Sequence, residues 1–373
     1  MQPHIPAAYH RTQVGEGSIL SDAETFIKNY HKNVNWKIVF AFICFILAII
    51  TLIISIGFGK ADISFHDSYT VFFQALFNTF EGDPIYYNVI WDVRVPRAMM
   101  AVFVGAGLAV AGAVMQNLLM NPLAEPYTMG ISSGAFLGAV LSITSGIFLI
   151  PFITGDTGTI VNAFILSLVP VLLIVLISKY KKTTATTMIL CGIAIMYIFS
   201  SISTLLMVLA DPTHLAEAYS WRVGNLGKVS WSSVQIAAPC ITVLMILLIL
   251  LAKRVNSLSI GDKGAISIGT DPYITRLTCF VIVALLTAFA VSFTGTIGFV
   301  GLVVPHIVRI FVGSNNHYLL PASAGFGGLF LVFMDTLAKM VTETGLPVGV
   351  ITSAIGGPLF IYILVQRRKK VWY

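Results

Sequence analysis

The chain has 373 residues, of which 57% are hydrophobic and only 10% are charged, and its mean hydropathy is +0.90. An average soluble domain carries about 25% charged residues, so this composition excludes a soluble protein and indicates one integral membrane domain. The formal net charge of +6 could suggest a nucleic-acid partner, but the basic residues cluster beside hydrophobic runs, where anionic membrane lipids and topology account for them.

Residues 1–36 are mostly polar and show too little hydrophobic periodicity to build a core. We interpret them as a flexible or surface-lying cytoplasmic arm. The first long apolar run, 37–57, exceeds the apolar part of a signal peptide, and so long a polar leader before a signal peptide is unusual. This run is therefore predicted to be the first membrane span.

Ten apolar runs approach the length of about 20 residues that a helix needs to cross a bilayer. They are 37–57, 95–119, 128–150, 160–178, 187–209, 232–252, 277–293, 296–313, 319–338 and 347–365. The seventh and eighth runs are divided by a turn around Gly295, and a re-entrant segment there is the alternative. The predicted fold is an all-α integral membrane protein of about ten transmembrane helices, with residues 37–366 as one domain.

The lysines and arginines indicate the orientation, because they concentrate in cytoplasmic loops. With both termini in the cytoplasm, sixteen of the 22 lie on inner segments and six on outer ones. Both termini are therefore predicted to be cytoplasmic, with residues 367–373 as a basic tail. The expected location is the cell membrane of a bacterium.

Several chemistries lack the residues that they need. Almost all of the 16 acidic residues lie outside the spans, with Glu125 in a loop and Asp335 close to a span end, which disfavours a proton-coupled secondary transporter. His306 stands alone beside Pro305, so a structural histidine is expected rather than a metal ligand. No catalytic pair is evident, the four cysteines lack paired spacing, and we expect neither an enzyme nor a metal site.

The sequence also lacks a phosphate-binding loop. The segments "GKA" at 59–61 and "GKV" at 227–229 have neither the glycine spacing nor the hydroxyl residue of GxxxxGK[ST]. No cofactor is expected to bind directly. If ATP drives this protein, a separate subunit must hydrolyse it.

Small residues recur at helical spacing on the second and third spans. They are Gly105, Ala109 and Ala113, and Gly130, Gly134 and Gly138. Such faces let helix backbones approach closely within a membrane, and packing alone explains them. The loop between the two spans contains Asn121 and Pro122, which predict a rigid turn.

A polar interval at 253–276 separates two late spans and reads "KRVNSLSIGDKGAISIGTDPYITR". Short apolar steps alternate there with glycines, which predicts two short helices separated by a glycine turn. Such a hairpin either lies on the membrane or docks a soluble partner, and its composition favours neither.

Five motifs together resemble the FecCD family, the ten-helix permeases of type II ABC importers for ferric siderophores, haem and vitamin B12. They are "RVPR", "GAGLAVAGAVMQNLLMNPLAEPYTMGISSGA", "SIGDKGAISIG", "GTIGFVGLVVPHIVR" and "GLPVGVITSAIGGPLF". The resemblance covers about residues 38–366 in the family's order and spacing. Lys263 and Gly264 stand where the family more often has an acidic residue and a larger one.

The resemblance implies an assembly of several subunits. Two permeases, identical or related, would form the pore, an ATPase dimer would dock beneath them, and a substrate-binding protein would dock outside. "SIGDKGAISIG" would be the coupling segment on the ATPase, with Ser259, Gly261, Asp262, Ala265 and Gly269 as its candidate residues.

The two arginines of "RVPR" raise a choice between two interpretations. Pro96 suits the first turn of a helix, so Arg94 and Arg97 would project from one face at the outer surface. They would anchor lipid headgroups or pair with Asp92, or, as the resemblance implies, receive carboxylates of the binding protein. Lys339 stands where relatives commonly carry a third arginine, and it keeps the charge but not the planar fork.

A pore between two subunits would be lined by small, apolar and hydroxyl side chains, so that a bulky cargo slides without being gripped. The candidate pathway residues are Asn121, Pro122, Ser132, Ser133, Thr352 and Ser353. The expected cargo is a ferric siderophore, because iron chelates are the commonest cargo of the resembling family, with haem and cobalamin as alternatives. A secondary transporter and an intramembrane enzyme are the competing classes.

Overall fold

The computed structural model describes residues 16–59, 61, 63–181, 184–341 and 346–367, and within these ranges the chain forms helices and no strands. The helices are α1 (Glu16–Gly57), α2 (Phe65–Leu76), α3 (Pro84–Tyr87), α4 (Val95–Leu118), α5 (Ile131–Ser145), α6 (Gly155–Lys181), α7 (Ala185–Val208), α8 (Pro212–Arg222), α9 (Trp231–Leu250), α10 (Ala252–Leu258), α11 (Gly261–Ser267), α12 (Pro272–Thr294), α13 (Val300–Val312), α14 (Asn316–Val341) and α15 (Val348–Arg367). A π-helical stretch, Asn88–Arg94, joins α3 to α4, and a 3-10 turn, Pro126–Met129, precedes α5.

Eight helical segments in the described part of the chain are long and apolar enough to cross a membrane. They correspond to all or most of α4, α6, α7, α9, α12, α14 and α15, and to the part of α1 from Val34 onward. The two other predicted runs contain α5 and α13, which have only 15 and 13 residues. At about 1.5 Å per residue both fall short of a bilayer core of about 30 Å.

The short helices begin inside the bundle. Gly130, just before α5, packs against Pro170 and Ile195, in the middle of α6 and α7. Phe299, just before α13, packs against Gly356, well within α15. The irregular segments ahead of the two helices meet where Tyr127 Oη donates a hydrogen bond to the Ile297 carbonyl, 3.1 Å away. The chain therefore turns at Gly295, which has φ 69°, where a turn was predicted. Residues 296–299 then run back into the bundle before α13 begins.

The described part of the predicted N-terminal arm is helical. α1 begins at Glu16, so residues 16–36 continue the first span as helix. Residues 1–15 of the arm and residues 368–373 of the basic tail lie outside the described residues.

α4 is the central helix, and it is buried along nearly its whole length against α9, α12, α13 and α14. Its small residues permit this packing, because a Cβ on Gly105 would strike the Gly327 carbonyl oxygen of α14. On α5, a Cβ on Gly134 or Gly138 would likewise strike a backbone carbonyl of α6. The predicted close packing on these faces is confirmed.

The bundle has two ends that matter for function. We call the end where α1 finishes and α4 starts the arginine end, because it holds Arg94 and Arg97. We call the opposite end the hairpin end, because α10 and α11 form a helical hairpin there between α9 and α12.

Candidate functional sites at the two ends of the bundle

Arg94 is a buried side chain that binds the end of α1. It is 4% exposed, and its Nη1 donates to the Ile56 carbonyl at 3.0 Å and to Ser68 Oγ at 3.2 Å. Its Nη2 donates to the Ala61 carbonyl at 3.2 Å. A cation at the C-terminal end of a helix satisfies carbonyls that have no partner within the helix and interacts favourably with the helix dipole.

Arg97 is held by a carboxylate of α14. Its Nε donates to both oxygens of Asp335, at 3.0 and 3.1 Å, and its Nη2 donates to Oδ1 at 2.7 Å. The side chain of Asp335 is fully buried, and 16% of the Arg97 side chain is exposed. This forked pair is the strong form of an arginine–carboxylate contact.

Lys339 lies one helical turn after Asp335 and completes the cluster. Its Nζ lies 3.2 Å from Asp335 Oδ2 and donates to Ser55 Oγ at 3.0 Å, and only 5% of its side chain is exposed. We call Arg94, Arg97, Asp335 and Lys339 the arginine cluster. The cluster joins α1, α4 and α14 and holds three cations and a single carboxylate.

These positions correct the predicted geometry of "RVPR". The expectation that Arg94 projects outward is wrong, because its guanidinium turns inward to satisfy the last carbonyls of α1. The carboxylate that Arg97 pairs with is Asp335 rather than Asp92, since the distant α14 packs directly beside α4. Lys339 is also buried.

A cavity of about 330 Å³ opens beside the cluster. Arg94, Arg97 and Lys339 all line it, together with apolar residues such as Phe58 and Val93. With three cations against one carboxylate, this cavity favours an anionic group.

At the hairpin end, the structure confirms two short helices separated by a glycine turn. Gly261 and Gly269 both have φ 81°, a conformation that favours glycine, and they begin α11 and follow its end. Ala265 is fully buried beneath the hairpin. Ser259 Oγ donates to the Asn256 carbonyl at 2.7 Å, so its hydroxyl is used locally.

Asp262 is tied to the bundle by Arg276 of α12. Arg276 Nη2 donates to Asp262 Oδ1 at 2.9 Å, and its Nε donates to the Leu118 carbonyl at the end of α4, also at 2.9 Å. Arg276 is itself buried, so this contact fixes α11 against α4 and α12. Asp262 therefore holds the hairpin in place.

Three isoleucines give the hairpin an apolar outer surface. Ile260, Ile266 and Ile268 are 58%, 63% and 59% exposed. An apolar surface rimmed by polar residues is typical of a contact with another protein. We call these three residues the isoleucine surface.

The six pathway candidates occupy different surroundings. Asn121 and Pro122 are half-buried in the turn after α4, where Asn121 Oδ1 accepts the Leu123 N–H at 3.0 Å. Ser132 is half-buried at the start of α5. Ser133 and Thr352 are buried and donate to the Gly130 and Gly349 carbonyls, so these two hydroxyls are used within their own segments.

Ser353 is the exposed member of this set. A Cβ placed on Gly298 would lie 3.8 Å from its hydroxyl oxygen. Residues 295–299 thus lie close to Ser353 of α15, and their Ile297 carbonyl accepts the hydrogen bond from Tyr127, which precedes α5. The structure brings the starts of α5 and α15 to the same irregular segment.

Two other groups clarify earlier expectations. His306 is buried, its Nδ1 lies 2.8 Å from the Leu302 carbonyl, and its ring packs edge-on against Phe360, as expected for a structural histidine. Burial raises the pKa of the Glu125 carboxyl, in the loop between α4 and α5, to about 7. Among the described residues no group of three or more His, Cys, Asp or Glu side chains is placed to hold a metal ion.

Sequence reasoning missed several polar residues. Ser55 and Ser68, which bind the arginine cluster, belong to no motif. Three asparagines, Asn117, Asn256 and Asn316, form a partly buried chain of side-chain contacts at the hairpin end. The sequence signal that could have identified the asparagines is their position at or near the ends of apolar runs, where a side-chain amide that becomes buried needs a hydrogen-bond partner.

Comparisons with known proteins show which family the chain belongs to. The model of the FecCD transport family matches residues 47–366. The hemin transport system permease protein of Yersinia pestis is 35% identical over 324 residues, covering 86% of this chain and 95% of that protein. The cobalamin import system permease protein of Halobacterium salinarum is 37% identical over 281 residues, covering 75% of this chain and 74% of that one.

A solved structure supports the same assignment. It is described as an inward-facing conformation of a metal-chelate type ABC transporter, with a TM-score of 0.76 and 28% sequence identity. The match covers 87% of this chain and 98% of that one. The chain therefore belongs to the FecCD transport family and is a membrane permease subunit of an ABC transporter, not itself an enzyme.

Proposed function

We propose that this permease belongs to an ATP-driven importer in the bacterial cell membrane, and that its cargo is a ferric siderophore. The observation that supports an ATP-driven importer is the family match over residues 47–366, which includes both the arginine cluster and the hairpin. Cargo would enter at the arginine end and leave at the hairpin end. ATP would be hydrolysed by a partner ATPase dimer, and the permease would bind no cofactor directly.

In this proposal the chain crosses the membrane ten times, and both termini lie in the cytoplasm. The eight long helices would cross fully, while α5 and α13 would each cross together with the irregular segment that precedes it. The excess of lysines and arginines on the segments at the hairpin end supports this orientation. The arginine end then faces outward.

A substrate-binding protein would dock at the arginine end. The cavity beside the cluster would accept a carboxylate of that protein, with Arg97 as the main contact because part of its side chain reaches the surface. Arg94 and Lys339 are buried, so they would act mainly through their charge. Electrostatic docking of this kind would weaken as salt is added.

The ATPase would dock on the hairpin through the isoleucine surface. Gly261 and Gly269 would shape the hairpin, while Ala265 and Asp262 would hold it against the bundle. A second permease, identical or related, would complete the pore. Asn121, Pro122, Ser132, Ser133, Thr352 and Ser353 are the proposed pathway residues.

The identity of the cargo is tested by growth. A deletion strain should fail to grow on one ferric siderophore as its sole iron source, and the intact gene should restore growth. Failure to grow only when haem is the iron source would instead indicate that the cargo is haem, as the name of the Yersinia pestis relative suggests. Loss of cobalamin-dependent growth alone would contradict the iron assignment and leave the permease assignment in place.

A further inference from the structure

α4 and α14 are joined at both ends and in the middle. At the arginine end, Arg97 holds Asp335 through its forked contact. In the middle, Gly105 and Gly327 pack so closely that a Cβ on either would strike the carbonyl oxygen of the other. At the hairpin end, Asn117 Nδ2 donates to Asn316 Oδ1 at 3.1 Å.

These contacts make the two helices move together. Asp335 and Asn316 are both fully buried, and separating or sliding the helices would leave their polar groups without partners. Backbones in direct contact also leave no room for a change of register at the middle glycines. We call this unit the α4–α14 pair, and it spans the bundle from the arginine end to the hairpin end.

One asparagine attaches the hairpin to this unit. Asn256 of α10 presents its Oδ1 to Asn316, and it accepts the backbone N–H at 2.8 Å and the side-chain Nδ2 at 2.7 Å. Asn316 therefore binds α10 through its donors and α4 through its acceptor. Among the described residues, Asn256 is the α10 side chain that hydrogen-bonds to α14 where α14 pairs with α4.

We infer that Asn316 is a positioning residue that transmits displacement of the hairpin through the α4–α14 pair to the arginine cluster. This inference rests on the proposed function. When the ATPase moves the hairpin, Asn256 moves Asn316, and the rigid pair carries the shift to Asp335 and Arg97 at the other end. Arg276 provides a parallel link from Asp262 to the end of α4, so loss of Asn316 weakens the transmission without abolishing it.

The test is thermodynamic linkage between the two ends. If nucleotide at the ATPase changes the affinity for the binding protein by some factor, that factor measures the coupling between the sites, typically about 5-fold to 150-fold. The complete complex in lipid nanodiscs is titrated with cargo-free binding protein, with and without a non-hydrolysable ATP analogue. Asn316→Ala is compared with Thr187→Ala, a control that removes another side-chain pair at the hairpin end, the one with Thr184.

For Asn316→Ala we expect the factor to fall about threefold or more towards one. The affinity for the binding protein without nucleotide should stay within about twofold, and Thr187→Ala should keep the full factor. Asn256→Ala should reduce the factor as much, and the double variant should add little, since both act through one contact. A merely structural role would lower thermal stability and leave the factor intact.

An unchanged factor in Asn316→Ala, or a wild-type factor of one, would overturn the inference. Neither result would affect the proposed function, which requires only that the complex assembles and imports cargo. The proposed function itself would fail if neither the ATPase nor the binding protein bound the wild-type permease.

Discussion

Asp335 of α14 is the single carboxylate shared by Arg97 of α4, which reaches it within 2.7 Å, and by Lys339, 3.2 Å away. Asp335 and Lys339 lie far from Arg97 in the sequence, so the contact between Arg97 and Asp335 depends on the packing of α14 against α4. A buried carboxylate that neutralises part of a cationic cluster both holds the fold and leaves a positive charge for a partner.

Loss of this carboxylate should destabilise the permease. Asp335→Asn removes one member of a buried ion pair and leaves cations together, which costs about 3–5 kcal/mol. Thermal unfolding of the purified complex should shift down by several degrees. Asp92→Asn is the matched control, because Asp92 is exposed, and it should unfold close to wild type. Equal stability of the two variants would show that the pair contributes little.

Of the three cations in the arginine cluster, Arg97 should contribute most to docking of the binding protein. Arg97→Gln should lower the affinity for the binding protein at least tenfold at low salt, and added salt should lower the wild-type affinity. Lys228→Gln is a control at the same end, where Lys228 pairs with Glu217 at 2.7 Å. If both variants bind as the wild type does, the arginine cluster is purely structural.

Arg94 should behave differently from Arg97 in the same assay. Its guanidinium serves the end of α1, so Arg94→Gln should lower the yield and thermal stability of the permease. Variants that still fold should bind with a smaller loss than Arg97→Gln shows. A folded Arg94→Gln variant with the larger loss of affinity would place the main docking contact at Arg94.

The ATPase contact should depend on the isoleucine surface. Ile266→Ser and Ile268→Ser remove exposed apolar area without opening the core, so the permease should insert normally and copurify with less ATPase. Ser267→Ala, between them, loses only a local hydrogen bond to Gly264 and is the control. Normal ATPase recovery with both isoleucines replaced would mean that the hairpin docks elsewhere.

Stability should depend on pH through Glu125. Its folded pKa of about 7 lies above the ordinary value of 4.5, so the free energy of unfolding falls by about 3 kcal/mol as the pH rises between these two values. The stability that the neutral carboxyl provides is present at low pH and is lost as the pH rises through 7. Glu125→Gln should therefore raise the unfolding temperature at about pH 8 more than at about pH 5. An unfolding temperature that Glu125→Gln raises equally at both pH values would exclude Glu125 as the cause.

Much of the fold could be predicted because apolar length and glycine spacing are local signals. Each of the ten predicted runs coincides for most of its length with one helix, and the predicted glycine turn between two short helices lies at Gly261. The shortness of α5 and α13 was missed, since hydropathy does not show where an apolar segment leaves the helical conformation. Phe299, with φ 69°, interrupts an apolar run that reads as continuous.

The site was predicted less well than the fold. The charges of Arg94, Arg97 and Lys339 were identified, but their burial was not, because it depends on α1 and α14 packing beside α4. The contact between Asn256 and Asn316 joins residues 60 positions apart, and no local pattern marks it. Long-range pairing of polar groups is set by tertiary packing, which one sequence does not reveal.

Uptake by proteoliposomes tests the central claim most directly. The complex of permease, ATPase and binding protein is reconstituted, and uptake of a radiolabelled ferric siderophore, haem and cobalamin is measured in turn. Uptake of one cargo should require ATP inside the vesicles and binding protein outside, and it should stop when the ATPase is omitted. Uptake that proceeds without ATP, driven by an ion gradient alone, would contradict an ATP-driven importer.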